Sequence, residues 1–178
     1  MKKELWLLRH SKAEHSSVYV DFDRPLTKQG VINSHRIGQW LKKQQLVPDI
    51  ILSSPAIRAL TTAMIVAEEI SINTKNIELN QQLYFQGIIP IKKVLADYLK
   101  LYQRILLVGH NPDLESLLTN LVGSNNEFPT DCLATSSCAR LQLINDYEQQ
   151  LVSGSFVLLS INEVNRLTNI VEQTFESI

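Results

Sequence analysis

The chain has 178 residues and a formal net charge of -1, with no long block of one sign; that length suits one domain with its own core, and that balance leaves no basic footprint for nucleic acid or an anionic membrane, though a small anionic ligand stays open. Its two cysteines, Cys132 and Cys138, stand apart from any His/Cys cluster, which argues against a zinc site and a disulfide-dependent secreted fold and favours two small buried side chains. The apolar stretch after Met1-Lys2-Lys3-Glu4 ends at Arg9, too short for a signal-peptide core or a membrane span, so the expected compartment is the cytoplasm.

In chain order, the first predicted element is a strand at Leu5–Leu8. A helix is expected over about Thr27–Gln45, where Ile37, Trp40 and Leu41 mark an apolar stripe, although Gly30 and Gly38 count against it. A second strand, Ile50–Leu52, precedes a helix whose face is Ala56, Ala59, Leu60, Ala63, Met64 and Ala67. Ile91, Val94, Leu95, Tyr98, Leu99 and Tyr102 repeat that spacing before a third strand, Ile105–Val108, and Leu114, Leu117, Leu118, Leu121 and Val122 repeat it after. Thr130–Ser160 reads as strands and turns, Ser155–Ile161 being the clearest strand, and Asn162–Ile178 as a last helix or a tail. Short β-rich runs alternating with helical patterns, without repeats or a Gly/Pro-rich linker, predict one α/β domain over residues 1–178. It is built on an open, mostly parallel sheet with helices on both faces.

Ser54-Pro55 and Asn111-Pro112 each set an N-cap residue before a proline suited to the first helical position. Both follow directly on a strand. In open α/β sheets the ligand crevice lies at the strand C-terminal ends, where helix N-termini favour anions. At those ends stand Arg9-His10, Arg58 in the first turn of a helix and off its apolar stripe, and Gly109-His110. Alone, each residue reads as a hydrogen-bonded or solvated side chain; together, two Arg and two His on one edge suit a dianionic phosphoryl group. Guanidinium forks bind its oxygens bidentately, and imidazole serves as nucleophile, acid or base near neutral pH.

Leu7-Leu8-Arg9-His10-Ser11 resembles the Arg-His signature of the histidine phosphatase (phosphoglycerate mutase-like) superfamily, with Ser where Gly is commonest. Asp23-Arg24-Pro25-Leu26-Thr27 with Gly30, Ser53-Ser54-Pro55-Ala56-Ile57-Arg58-Ala59 with Thr62-Ala63, Val108-Gly109-His110-Asn111-Pro112 and Phe128-Pro129-Thr130 follow in the order of its short SixA-like branch. The resemblance covers residues 4 to 161 and implies a phosphoglycerate mutase-like fold. It assigns the nucleophile to His10 and the phosphate pocket to Arg9, Arg58 and His110. One ring nitrogen of His10, its other held by a backbone carbonyl, would attack phosphorus in line, with His110 as an imidazolium on the transferring oxygens, and water would release the phosphohistidine. No cofactor or metal is expected, since guanidinium and imidazolium supply the charge and no carboxylate cluster has metal-ligand spacing.

The chain departs from the larger members at Gln82, in Gln81-Gln82-Leu83-Tyr84, where they carry a Glu general acid. An amide cannot donate a carboxyl proton, whereas imidazole leaves readily from a phosphoramidate already protonated on its ring. The expected substrate is therefore a phosphohistidine on a protein such as a histidine phosphotransfer domain. A small-molecule phosphomonoesterase and a non-catalytic phosphoprotein-binding module are the alternatives, the latter at odds with an intact His10. Glu14, Asp21 or Asp23 would have to swing in to act as an acid; Asp23-Arg24 otherwise reads as a local ion pair shaping the loop. His15 and His35 read as exposed positions, Trp6, Trp40 and the tyrosines as core or its margin, and Ser16 and Ser17 as candidates for the substrate mouth.

Overall fold

The computed structural model describes residues 2–15, 17–123, 132–144 and 151–164. Six strands form one sheet: β1 (Glu4–Arg9), β2 (Ile50–Ser53), β3 (Ile77–Leu79), β4 (Arg104–Gly109), β5 (Ser137–Leu143) and β6 (Phe156–Glu163), in the order β3-β2-β4-β1-β5-β6. The first four in that order run parallel, while β5 lies antiparallel to β1 and β6 to β5. Among the described residues four helices connect them: α1 (Lys28–Lys43), α2 (Ile57–Glu69), α3 (Ile88–Leu101) and α4 (Asp113–Val122).

Alternate side chains of the central strands feed two cores. Leu5, Leu7, Leu52, Ile105 and Leu107 pack with Leu95 and Leu99 of α3 and Leu114, Leu117 and Leu121 of α4. Trp6, Leu8, Ile51, Leu106 and Val108 pack on the other face with Ile37 and Leu41 of α1 and Ala59, Ala63 and Val66 of α2. Strands covered on both faces need apolar side chains at every position, which is why β1, β2 and β4 appear in the sequence as continuous runs. The α/β architecture, with its open, mostly parallel sheet and helices on both faces, is the one expected.

Several local expectations need correction. The two glycines of α1 serve close packing: a Cβ at Gly38 would stand 2.6 Å from Glu69 Cβ of α2, and one at Gly30 would run into the Lys12 carbonyl. Packing thus outweighs their low helix propensity. Neither proline opens its helix as its first residue. α2 begins at Ile57 with Ala56 as N-cap, and Ser54 Oγ accepts from Ala56 N at 3.3 Å just upstream. α4 begins after Pro112, and the Asn111 side chain donates to Leu133 O at 3.1 Å instead of capping. The edge strand β3 is three residues long and only partly buried, too short to show as a period. Strand β6 takes in Asn162 and Glu163, so no final helix begins at Asn162; residues 165–178 lie outside the described residues. Cys138 is buried, its thiol pushed up to about 12 by burial, but Cys132 is only half-buried; the two form no disulfide. Among the described residues no helix is long and apolar enough to cross a membrane.

Candidate active site

The parallel register sets the ends of β1, β4 and β2 side by side, pairing Arg9 with Gly109 and Ser53 with Val108. The stitching runs one residue further, as His10 N donates to Gly109 O at 3.1 Å and Ser54 N to Val108 O at 3.0 Å. His10, Ser54 and His110 therefore emerge together at the crevice edge.

His10 Nδ1 lies 2.8 Å from Ser11 O. A carbonyl only accepts, so in the neutral ring Nδ1 carries the proton and Nε2 the lone pair. Ser11 is itself fixed: its N–H donates to Thr62 Oγ1 at 3.1 Å, and its hydroxyl lies 2.7 Å from Ser34 Oγ and 2.8 Å from Ser136 Oγ. Burial, helped by the charges of Arg58, Arg9 and Arg24, lowers His10 to about 4 against the opposing pull of the Ser11 carbonyl. The ring is thus neutral at physiological pH, and Arg58 Nε donates to Nε2 at 3.2 Å.

Arg58 is completely buried at the start of α2. Beyond His10, its guanidinium donates to Asp21 O at 2.5 Å and Asp21 Oδ2 at 3.0 Å, and it lies 6.0 Å from the Tyr84 ring centroid and 5.9 Å from that of Phe85. Asp21 opens a 3-10 turn, Asp21–Asp23, in the loop between β1 and α1. Its carboxylate also accepts from Tyr84 Oη at 2.7 Å, from Arg24 Nε at 3.0 Å and from Arg24 Nη2 at 2.8 Å. Burial raises the Asp21 carboxyl, but the hydrogen bonds from Tyr84, Arg24 and Arg58 together outweigh it and hold the group well below the usual carboxylate range. Burial, then the bond to Asp21, pushes the Tyr84 phenol up. The loop is clamped at its base: Ala13 bridges Leu26, Glu14 N donates to Pro25 O at 2.9 Å, and Thr27 N donates to Lys12 O at 2.9 Å.

His110 Nε2 lies 2.8 Å from Ser54 Oγ. Its ring centroid is 5.0 Å from that of His10, 5.5 Å from Tyr84 and 4.8 Å from Phe85. Burial, then the neighbouring His10 and Arg58, lower it to about 2, so this ring is neutral at physiological pH; the imidazolium expected is that of a ring in contact with transferring phosphoryl oxygens. Arg9 Nη1 donates to Leu133 O at 2.7 Å. Buried Arg9 Nε and His110 Nδ1 have no hydrogen-bond partner among the described residues, a costly state for polar nitrogens and one that phosphoryl oxygens would relieve.

Of the four residues singled out, His10, Arg58 and His110 stand together, Arg58 on His10 at 3.2 Å and the two imidazole rings 5.0 Å apart, whereas the Arg9 guanidinium is seated on Leu133 O. Of the three candidate acids only Asp21 is seated on Arg58, and there it is ionised. Arg24 pairs with Asp21 (2.8 Å) and reaches Glu14 O (2.9 Å), and not Asp23 as the sequence suggested. Gln82 is exposed; its backbone N–H bonds Asn80 Oδ1, and its side chain makes no hydrogen bond to the described residues. Tyr84, assigned to the core margin, instead lines the site with Phe85, and Ser54 orients His110. Trp6 is buried, as expected. His35, half-exposed on α1, pairs with Glu69 at 2.7 Å. Ser17 is exposed, whereas Ser16 and Phe128-Pro129-Thr130 lie outside the described residues. Among the described residues no group of three or more His, Cys, Asp or Glu side chains is arranged to hold a metal ion.

Residues 5–83 match the histidine phosphatase superfamily (branch 1). An uncharacterised protein of Picosynechococcus is 34% identical over 120 residues, 62% of this chain and 68% of that protein. A SixA structure from Agrobacterium tumefaciens superposes with a TM-score of 0.74 at 25% identity, covering 92% of this chain and 99% of the other. The structure of the protein histidine phosphatase SixA complexed with tungstate gives 0.75 at 21% identity over 92% and 99%. A mycobacterial glucosyl-3-phosphoglycerate phosphatase complexed with VO3 gives 0.66 at 15% identity over 89% and 98%; at these lower identities the likeness is one of fold. With the Arg-His motif closing β1 within the matched segment, the chain belongs to the histidine phosphatase superfamily as a phosphatase of SixA-like fold.

Proposed function

We propose that the chain is a phosphohistidine phosphatase that takes the phosphoryl group from a phosphorylated protein, such as a histidine phosphotransfer domain, onto His10. The observation that carries this reading is the state of His10: neutral, its Nδ1 proton tied to Ser11 O, and its Nε2 lone pair turned to the Arg58 guanidinium. In-line attack forms the Nε2–phosphorus bond as the leaving-group bond breaks. Arg58 and Arg9 spread the equatorial charge, and a dianion beside His110 offsets the burial that keeps this ring neutral, favouring its imidazolium form. Water then attacks phosphorus and restores His10.

Two features support a protein phosphohistidine over a small ester. Gln82 cannot protonate an alkoxide, and Asp21, held ionised, has no proton to give. Exposed apolar side chains also lie close by, Val18, Tyr19 and Val20 just before Asp21 in the chain and Phe85 with its ring 4.8 Å from that of His110, and they suit a macromolecular surface. Two cysteines without a disulfide between them fit a reducing compartment such as the cytoplasm. The test is a comparison of kcat/KM on a phosphorylated histidine phosphotransfer domain and on sugar phosphates. The reading expects the phosphoprotein to win by orders of magnitude; equal or better ester hydrolysis overturns it in favour of a small-molecule phosphomonoesterase, and turnover of neither in favour of a binding module.

A further inference from the structure

We infer that Asp21 is a specificity-determining residue whose carboxylate selects a cationic leaving group, the protonated ring of a phosphoramidate, and works against neutral or anionic ones. The inference rests on the proposed function and names what enforces its substrate class.

Its ground is the position of the Asp21 carboxylate, held on the ionised side by its hydrogen bonds, on the arginine proposed to hold phosphate. Asp21 Oδ2 lies 3.0 Å from Arg58 Nη2, and the same guanidinium reaches His10 Nε2 at 3.2 Å through Nε. One guanidinium therefore separates the nucleophile from the carboxylate. An incoming phosphoryl group must take over the Arg58 donors that Asp21 occupies. Asp21 need not leave for this to happen, because Tyr84 Oη (2.7 Å) and the Arg24 fork (3.0 and 2.8 Å) still hold it at the rim. The clamped base of the loop restrains it in the same place.

A fixed anion beside a dianionic phosphoryl group costs binding for every substrate. The cost is recovered only where the leaving group brings a positive charge. N-phosphorylated imidazole protonated on its second nitrogen does so, with an N–H that the carboxylate can accept. As His10 Nε2 bonds to phosphorus, the P–N electron pair passes to the departing ring nitrogen. The ring leaves as neutral imidazole, retaining the proton on its other nitrogen, so no proton need be transferred. Asp21 accepts that N–H throughout and stabilises the protonated, better leaving form. An alcohol offers no such charge, and a sugar acid phosphate adds another negative one.

The test uses the intact chain, phosphoimidazole and phenyl phosphate as substrates of similar size, and inorganic phosphate as competitor. In Asp21→Asn, kcat/KM on phosphoimidazole should fall about 10- to 100-fold, the range expected for losing a hydrogen bond to a charged group. On phenyl phosphate it should hold or rise, and inorganic phosphate should inhibit more tightly. Tyr84→Phe, which keeps the carboxylate but removes one of its holders, should shift selectivity the same way by less, and covers the case in which Asp21→Asn folds poorly. A merely structural role would depress both substrates together and weaken phosphate; that outcome, or an unchanged ratio in both variants, overturns the inference while leaving the proposed function standing. A wild-type chain that cleaves phenyl phosphate but not phosphoimidazole overturns both.

Discussion

Arg58 Nε stands 3.2 Å from His10 Nε2, so the one lone pair on the His10 ring is held by a buried guanidinium that also carries Asp21 on its other nitrogens. A lysine could place one charge there but not a rigid planar fork whose separate nitrogens reach His10 and both Asp21 acceptors. Arg58→Lys is expected to lower kcat by about 100- to 1,000-fold, the usual scale for losing a preorganised donor on transition-state charge. Steady-state rates with phosphoimidazole check this; near-normal turnover would remove Arg58 from the chemistry.

The site should make the fold acid-sensitive. His10 is lowered to about 4 from its ordinary 6.5, and His110 is lowered further in the same direction, so the unfolded chain takes up protons before the folded one does. Their contribution is complete well above pH 6.5; that of His10 is lost as pH falls to about 4 and that of His110 as it falls on to about 2, while that of Asp21, also held down, is lost below its ordinary 3.8. Melting temperature should therefore fall steadily between pH 6.5 and 4, with a shallower slope in His110→Gln. Equal slopes in wild type and variant would contradict the buried neutral state of His110.

Gly30 separates two opposing expectations. By helix propensity alone Gly30→Ala in α1 should stabilise by about 1 kcal/mol. Because the added methyl runs into the Lys12 carbonyl, the substitution should instead cost about 1–3 kcal/mol. It should lower kcat as well, since the Lys12–Thr27 stitching sets the loop that holds Asp21 on Arg58. Urea unfolding decides between the two signs.

Ser11 stands where glycine is commonest in the motif, and its hydroxyl joins Ser34 and Ser136. Ser11→Gly keeps the carbonyl that orients His10 but strands buried hydroxyls, so it should cost about 1–3 kcal/mol of stability while kcat stays within a few-fold. A collapse of kcat at unchanged stability would mean the hydroxyl, and not only the carbonyl, acts in the reaction.

The three central parallel strands and the helices were legible because double-sided burial writes continuous apolar runs into β1, β2 and β4 and single-sided burial writes stripes into the helices. The meeting of His10, Arg58 and His110 was legible because strand ends in an open α/β sheet converge. Asp21 was not distinguished from the other candidate acids, Glu14 and Asp23, nor Tyr84 from core-margin residues, since their importance comes from meeting each other at 2.7 Å across a long separation in sequence. Nor does periodicity report burial-driven titration: the neutral state of His110 depends on a pocket built by Tyr84, Phe85 and His10. Helix starts were misplaced by one or two residues because Ser54 and Asn111 found other partners, His110 and the Leu133 carbonyl.

The central claim is a covalent phosphoryl intermediate on His10, and rapid acid-free quenching of the wild-type chain with 32P-labelled phosphoramidate tests it most directly. The account predicts acid-labile, base-stable label on His10, absent together with turnover in His10→Ala. Label on Ser53, Ser54 or a cysteine, or full turnover by His10→Ala, would contradict it.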